Sequence, residues 1–300
     1  MTSPPAKRPR TEDTITRSEF WHSDGSVVLQ AQKTQSRVHW SVLARNSSFF
    51  RDMQSLPQPP NQPTVEGCPV VELPDDAVDV EWILKALYLP PFLGQPALPF
   101  AAVAAHIRLG RKYDFRELLD LALARLNFEH PTTLYGYDAL LLDTPTRIVA
   151  TSSLSLDILA LARENDILSV LPLAYYRVLL RGSSADSLFE TIKRADGTEA
   201  SLAAIDLRRC VSGREKIINA QLQPGYSRGW LRSYSPGTQC ASPVGCTAWR
   251  DSLLRTYLDA PALDAFWRLS YFDQTFCFAC KRELSEANAA GRNSDLKNVL

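Results

Sequence analysis

Signals for several protein classes are missing from this sequence of 300 residues. No run of 18 apolar residues occurs, which excludes an ordinary membrane-spanning helix. The polar, proline-rich N-terminus lacks the apolar segment of a secretion signal, which favours an intracellular protein of the nucleus or cytoplasm. Lysine plus arginine and aspartate plus glutamate each number 33, so no net charge draws the chain toward nucleic acid or anionic lipid.

Motifs of several enzyme and nucleic-acid-binding classes are also missing. The sequence has no phosphate-binding G-x-x-x-x-G-K-[ST], no G-x-G-x-x-G after a strand and no H-E-x-x-H. It has no C2H2 zinc finger, and Arg208 with Arg209 makes too small a basic patch for a nucleic-acid module. We therefore expect a protein that is not an enzyme and does not bind nucleic acid directly.

Among the six cysteines is the only group of residues for which we recognise a chemical role. In an intracellular protein they indicate reduced thiols or metal ligands rather than a disulfide framework. Cys240 and Cys246 lie six residues apart, and Cys277 and Cys280 form C-x-x-C further along. Four thiolates can hold one structural zinc ion tetrahedrally, and C-x-x-C lets two sulfur atoms reach the same ion. Such a site would join the C-terminal helices and add folding free energy.

Other interpretations of these cysteines stay open. Cys277 and Cys280 stand in the apolar sequence TFCFAC, where a buried cysteine commonly packs as a small hydrophobic residue. A catalytic zinc is disfavoured because cysteine would fill all four positions. A redox C-x-x-C is disfavoured because no βαβ context surrounds it.

The composition divides the chain into four parts. Residues 1–17 are rich in proline and basic residues and have no apolar periodicity, which predicts a disordered tail. A first domain is expected over 18–130, a helical hairpin over 131–182 and an α-rich region over 183–300. In the tail, Lys7, Arg8 and Arg10 form a cluster that import receptors can recognise or that simply solubilises the chain.

The segment from Ser26 to Met53 predicts two short strands followed by two helices. A strand of Pro69 to Pro74, a helix ending in Leu87-Tyr88 and a helical pair from Leu98 to Leu126 follow. The opening pattern consists of an acidic residue, V-x-L, a histidine, V-L-A and S-x-F-F. Its members here are Asp24, Val27, Leu29, His39, Val42, Leu43, Ala44, Ser48, Phe49 and Phe50.

In this order, residues 18 to 130 resemble the BTB/POZ domain, and the whole chain resembles the BTB proteins that basidiomycete fungi carry in large numbers. The resemblance implies an α+β fold with a small sheet flanked by helices, followed here by an α-rich C-terminal region. It implies that His39 bridges strand to helix through hydrogen bonds. It also implies a homodimer that joins through the first helix and the N-terminal segment. The candidate interface residues are Phe20, Trp21, Trp40, Val42 and Leu43.

Two positions depart from the family's pattern. A basic residue often follows the histidine and lines a charged groove, but here Trp40 stands in its place, and an exposed indole would favour an apolar contact. Adaptors that recruit a cullin scaffold commonly carry an apolar-x-Glu element after the third helix, whereas Leu87 to Gly94 contains no glutamate. The resemblance therefore implies a protein-interaction adaptor, a ligase adaptor or a transcription-linked scaffold. The alternative is a zinc-dependent binding module in the C-terminal half, with the BTB part as a dimer clamp.

A shift of 52 residues shows an internal similarity between residues 109–126 and 161–178. Asp114 and Asp166 occupy the same place in the two segments. Both segments predict a helix, a turn marked by the aspartate and a second helix. We therefore expect two helical hairpins of the same design.

Overall fold

The computed structural model describes residues 15–57, 61–140, 145–182, 184–259, 263, 265–266 and 276–299, with side chains to 294. The chain divides into two compact units. The first comprises the described residues up to Arg125 together with Thr146–Val149, and the second comprises those of Leu126–Pro145 and from Ala150 onward. The predicted hairpin 131–182 and the predicted region 183–300 thus lie together in the second unit.

The first unit contains a five-stranded sheet whose strand order is β1-β3-β2-β5-β4. The strands are β1 (Thr16–Trp21), β2 (Val27–Ala31), β3 (Thr34–Val38), β4 (Thr64–Val65) and β5 (Cys68–Leu73). Strand β2 lies in the middle, antiparallel to β3 and parallel to β5. Its Val27, Val28 and Leu29 are buried, which explains why this short run is continuously apolar.

Strand β1 begins within the segment predicted to be disordered. Residues 1–14 of the predicted tail lie outside the described residues, but Thr16 and Arg17 already pair with β3. The Thr16 amide donates a hydrogen bond to the Lys33 carbonyl over 2.8 Å. The prediction of disorder through residue 17 is therefore wrong at its C-terminal end, because strand pairing supplies partners that composition does not reveal.

The helices of the first unit follow the predicted order. They are α1 (Trp40–Asn46), α2 (Ser48–Ser55), α3 (Ala77–Tyr88), α4 (Pro90–Leu93) and α5 (Phe100–Lys112), and α6 (Arg116–Glu129) then runs across the division between the units. Ser47 caps α2 by accepting a hydrogen bond from the Phe50 amide, and Asp76 caps α3 in the same way through the Val78 amide. With the sheet, these helices make the unit an α+β structure.

His39 lies between the sheet and α3, as expected for a bridging residue. The Tyr88 hydroxyl lies 2.9 Å from the His39 amide nitrogen and 3.1 Å from its Nδ1. The other ring nitrogen, Nε2, lies 3.2 Å from Oδ1 of Asp24. The prediction that His39 links strand to helix through hydrogen bonds is confirmed.

The second unit is mostly helical. Its elements are α7 (Leu134–Ala139), α8 (Leu154–Glu164), α9 (Leu171–Leu179), a 3-10 helix (Ala185–Leu188), β6 (Ile192–Lys193), β7 (Glu199–Ala200), α10 (Ala204–Gln221), α11 (Trp230–Ser233), α12 (Pro243–Asp259) and α13 (Phe278–Val299). The two short strands form an antiparallel hairpin. Among the helices of the described residues, none has the length and hydropathy needed to cross a membrane.

The two predicted helical hairpins are present and turn in the same way. Asp114 separates α5 from α6 with a φ of 52°, and Asp166 separates α8 from α9 with a φ of 50°. Aspartate adopts this left-handed conformation more readily than most residues because its short polar side chain can bond locally. The aspartate that aligns in the two segments is therefore the residue that reverses the chain.

Candidate metal centre

The four cysteines singled out in the sequence come together in the second unit. Cys240 lies in the loop before α12, and Cys246 lies in the first turn of that helix. Cys277 immediately precedes α13, and Cys280 lies in its first turn. Pro243 starts α12, where its missing amide hydrogen costs no hydrogen bond and its fixed φ suits a helix. Two helix N-termini thus carry the cluster.

The spacing of the sulfur atoms matches a tetrahedral site. All four Sγ atoms lie within 4.8 Å of one another. Sγ of Cys277 and Sγ of Cys240 are 3.7 Å apart. Zinc–sulfur bonds of about 2.3 Å in a tetrahedron place neighbouring sulfur atoms roughly 3.8 Å apart. All four cysteines are free thiols, so the distances describe a cluster of ligands rather than disulfides.

Backbone amides point at the sulfur atoms. The Cys277 amide donates to Sγ of Cys246 over 3.4 Å. Amide hydrogen bonds from Cys280 and Ala241 lower the pKa of the Cys277 thiol to about 6. Such bonds, with the positive ends of two helix dipoles, favour the thiolate, which is the form that binds a metal. Apart from the proline that starts α12, no sequence signal predicts these donors.

The remaining thiols are held in apolar surroundings. Burial raises the pKa of the Cys280 thiol to about 12 and also raises that of Cys240. Cys246 and Cys280 belong to a core with Trp230, Leu231 and Phe276. A divalent cation between the four sulfur atoms would stabilise all the thiolates and offset this cost, because coordination deprotonates a thiol. The donor set therefore fits a metal ion that prefers sulfur.

The residues predicted for a dimer interface do not form one exposed surface. Phe20, Trp40 and Leu43 are buried within the first unit, with 5%, 9% and 1% of their surface exposed. Trp21 and Val42 are half-buried.

The three buried side chains pack against the protein's own core. The Phe20 ring lies 6.2 Å from that of Tyr88, and the Trp40 ring lies 6.4 Å from that of Phe50. The Trp40 indole is therefore not an exposed apolar contact, because it packs inside the first unit.

One pattern typical of hydrolases does occur, in the segment Gly225-Tyr-Ser-Arg-Gly229, which fits G-x-S-x-G. In a nucleophile elbow the serine sits exposed between a strand and a helix. Here the segment connects α10 with α11, and Ser227 is 1% exposed. The pattern therefore lacks the structural context of a nucleophile elbow.

Comparisons with known proteins give no assignment. No protein-family model matches the chain. No curated protein matches it either.

Proposed function

We propose that this chain is a non-catalytic interaction protein that associates with itself through a BTB-type first unit. The observation that carries the proposal is the order and pairing of the elements between β2 and α6. A strand hairpin is followed by a helical hairpin, a strand parallel to the first, a helix and a second helical hairpin. This order supports the resemblance read from Asp24 to Leu126, including the linking role of His39.

The surface available for association differs from the predicted one. Strand β1 is at an edge of the sheet, and among the described residues its outer side pairs with no other strand. Its Arg17 and Glu19 are both exposed. If two copies paired β1 antiparallel about Ser18, each Arg17, which also pairs with Glu66 of its own chain over 2.6 Å, would lie opposite the other copy's Glu19, as a two-fold axis requires. An exposed strand edge is a template for such pairing.

The resemblance also implies that helix α1 contributes to the interface, and Val42 is its candidate residue. Its neighbours Ser41 and Arg45 are exposed, and Val42 is half-buried, so the valine can still lose surface on association. A stable homodimer of this kind buries about 2,000 Å² or more. Substituting aspartate for Val42 would bury an unpaired carboxylate in that interface, which is unfavourable.

The test compares Val42→Asp with Val78→Asp. Val78 is an exposed valine on α3 of the same unit, so its substitution controls for the added charge. We expect Val42→Asp to raise the dimer dissociation constant at least about a hundredfold, and Val78→Asp to leave it unchanged. Sedimentation equilibrium measures both constants. Equal constants for the two variants, with both folded by circular dichroism, would contradict a dimer through α1.

The second candidate is a binding module in the second unit that depends on structural zinc. The four sulfur atoms within 4.8 Å of one another favour it. Cys240, Cys246, Cys277 and Cys280 would be the four ligands, and the ion would tie the loop before α12 to the start of α13. In this candidate the first unit serves only as a dimer clamp.

Elemental analysis of the purified chain tests the zinc candidate. We expect about one zinc per chain, lost in the double variant Cys277→Ser, Cys280→Ser. Cys68→Ser is the matched control, since Cys68 is a buried free thiol of the first unit, far from the cluster in sequence, and its Sγ donates to the Gly25 carbonyl as a serine hydroxyl also can. Zinc at less than about 0.2 per chain in the wild type, after expression with added zinc, would contradict a metal-dependent unit.

A further inference from the structure

The four cysteines of the cluster fall into two pairs that differ in exposure. Cys246 and Cys280 are each 1% exposed and belong to the core around α11, α12 and α13. Cys240 and Cys277 are only half-buried, and each has an exposed residue directly beside it in the chain. A small oxidant in the solvent therefore reaches Cys240 and Cys277 more readily than the other two.

The same division holds for the backbone that carries the cysteines. Cys246 lies within α12 and Cys280 within α13, where helical hydrogen bonds fix the main chain. Cys240 ends a turn in which its amide donates to the Gly237 carbonyl over 3.0 Å, and Cys277 stands just before α13. A loop opens and shifts at a lower free-energy cost than the interior of a helix does. The exposed pair is therefore also the pair whose main chain moves more easily.

The sulfur atoms of the exposed pair lie close together. Sγ of Cys277 is 3.7 Å from Sγ of Cys240. A disulfide holds its two sulfur atoms at about 2 Å, so a movement of less than about 2 Å would join them. Cysteines that respond to oxidants are accessible to solvent and often stand beside a second thiol that completes the disulfide. Cys240 and Cys277 meet both conditions.

We propose that the cluster is a redox switch, in which hydrogen peroxide oxidises Cys240 and Cys277 to a disulfide and thereby releases the zinc ion. The inference rests on the zinc candidate and adds the regulation of that site. One sulfur attacks the peroxide, the O–O bond breaks and a sulfenic acid forms; the second sulfur then displaces the hydroxyl group, and the S–S bond forms. The two thiolates lose two electrons in all, and the peroxide takes up these electrons with two protons from the solvent to give two molecules of water.

Release of the ion follows from the loss of two ligands. Zinc binds the thiolate form of cysteine, and a disulfide contains no thiolate. Cys246 and Cys280 would remain as the only sulfur ligands, whereas a structural zinc site has four ligands. A thiol reductant restores both lost thiols by exchange, so the second unit can bind zinc again.

Zinc release and disulfide mapping on the full chain test the switch. The zinc content of the untreated chain is measured first, and a chain without zinc would contradict the zinc candidate and the switch with it. In the zinc-loaded chain, about one equivalent of peroxide should release about one zinc, which a colorimetric indicator measures. Peptide mapping of the same sample should find a disulfide between Cys240 and Cys277. Dithiothreitol with added zinc should reverse both changes.

The two cysteines outside the cluster serve as controls. Cys68 and Cys210 are buried free thiols, so alkylation should find both still reduced after the peroxide treatment. Cys210→Ser removes a thiol of α10 in the same unit and should leave the zinc release unchanged. Three results would overturn the switch while leaving the zinc candidate intact: zinc that stays bound in excess peroxide, a disulfide between any other pair, or a loss of zinc release in Cys210→Ser.

Discussion

Burial affects the protonation of single side chains in this protein as much as neighbouring charges do. His106 on α5 and His130 are each 1% exposed, and desolvation lowers the pKa of both rings, to about 4 and about 3. Each ring nitrogen that carries a proton faces a backbone carbonyl, Trp82 for His106 and Leu126 for His130. Both histidines are therefore neutral in the folded protein across the physiological range.

The neutral His106 predicts a loss of stability in acid. Its pKa is about 4 when folded, against an ordinary value of 6.5, so between these pH values the unfolded chain binds a proton that the folded chain does not. The free energy of unfolding should fall as the pH drops through this window, by about 2 to 3 kcal/mol between pH 7 and pH 4.5. Urea denaturation at the two pH values, followed with a probe in the first unit, measures this free energy of unfolding.

His106→Gln provides the control for that pH dependence. Glutamine has no charge to gain, yet its amide can still donate to the Trp82 carbonyl. The variant should lose about 2 to 3 kcal/mol less than the wild type over the same pH range. Parallel curves for the two proteins would show that His106 titrates normally when folded.

Side-chain positions were the part that the sequence predicted least well. Phe20, Trp40 and Leu43 were expected at an interface and are buried instead, because an apolar residue near a strand end or helix start suits a core and an interface equally. The four cysteines were recognised, but only the folded chain brings the wide C-x5-C pair beside the C-x-x-C pair.

Secondary structure was easier to predict from the sequence than side-chain positions, because turn and capping residues act locally. Pro90 ends α3, and the aspartates at 114 and 166 mark the reversals of both helical hairpins. Turn and capping residues act within a few positions, so one sequence suffices to place them. The edge strand β1 depends on β3 as its partner, and the sequence predicts neither β1 nor the short hairpin of β6 and β7.

The left-handed turn at Asp166 predicts a contrast between two substitutions. Asp166→Val forces a β-branched residue into a φ of 50° and should cost about 1 to 2 kcal/mol, whereas Asp166→Gly should stay within about 1 kcal/mol of the wild type. Glu164→Val, at an exposed helical position two residues earlier, should cost about 0.5 kcal/mol or less. Urea denaturation measures all three. A similar cost for both valine substitutions would rule out backbone strain as the reason for the aspartate.

At the scale of the whole molecule, the two compact units are stabilised differently. The first has a sheet with a continuous apolar strand at its centre. Around α11, α12 and α13, the second unit has a core that includes Cys246 and Cys280. A metal ion joining the four thiolates would add folding free energy to this core.

Removing the metal should therefore affect one unit only. With a strong zinc chelator, we expect the unfolding temperature of the second unit to fall by at least about 5 °C and proteolysis to begin between α11 and α13. The first unit should stay protected. The double variant Cys277→Ser, Cys280→Ser should show no further change with chelator, and added zinc should restore only the wild type. Equal destabilisation of both units would contradict a local role for the ion.

The central proposal, self-association through the first unit, is tested most directly by the mass of the full chain in solution. Light scattering coupled to size exclusion, at micromolar concentration, gives that mass without reference to shape. We predict a species of twice the chain mass of 33.5 kDa. A single species at the chain mass itself, unchanged up to the highest soluble concentration, would contradict the homodimer.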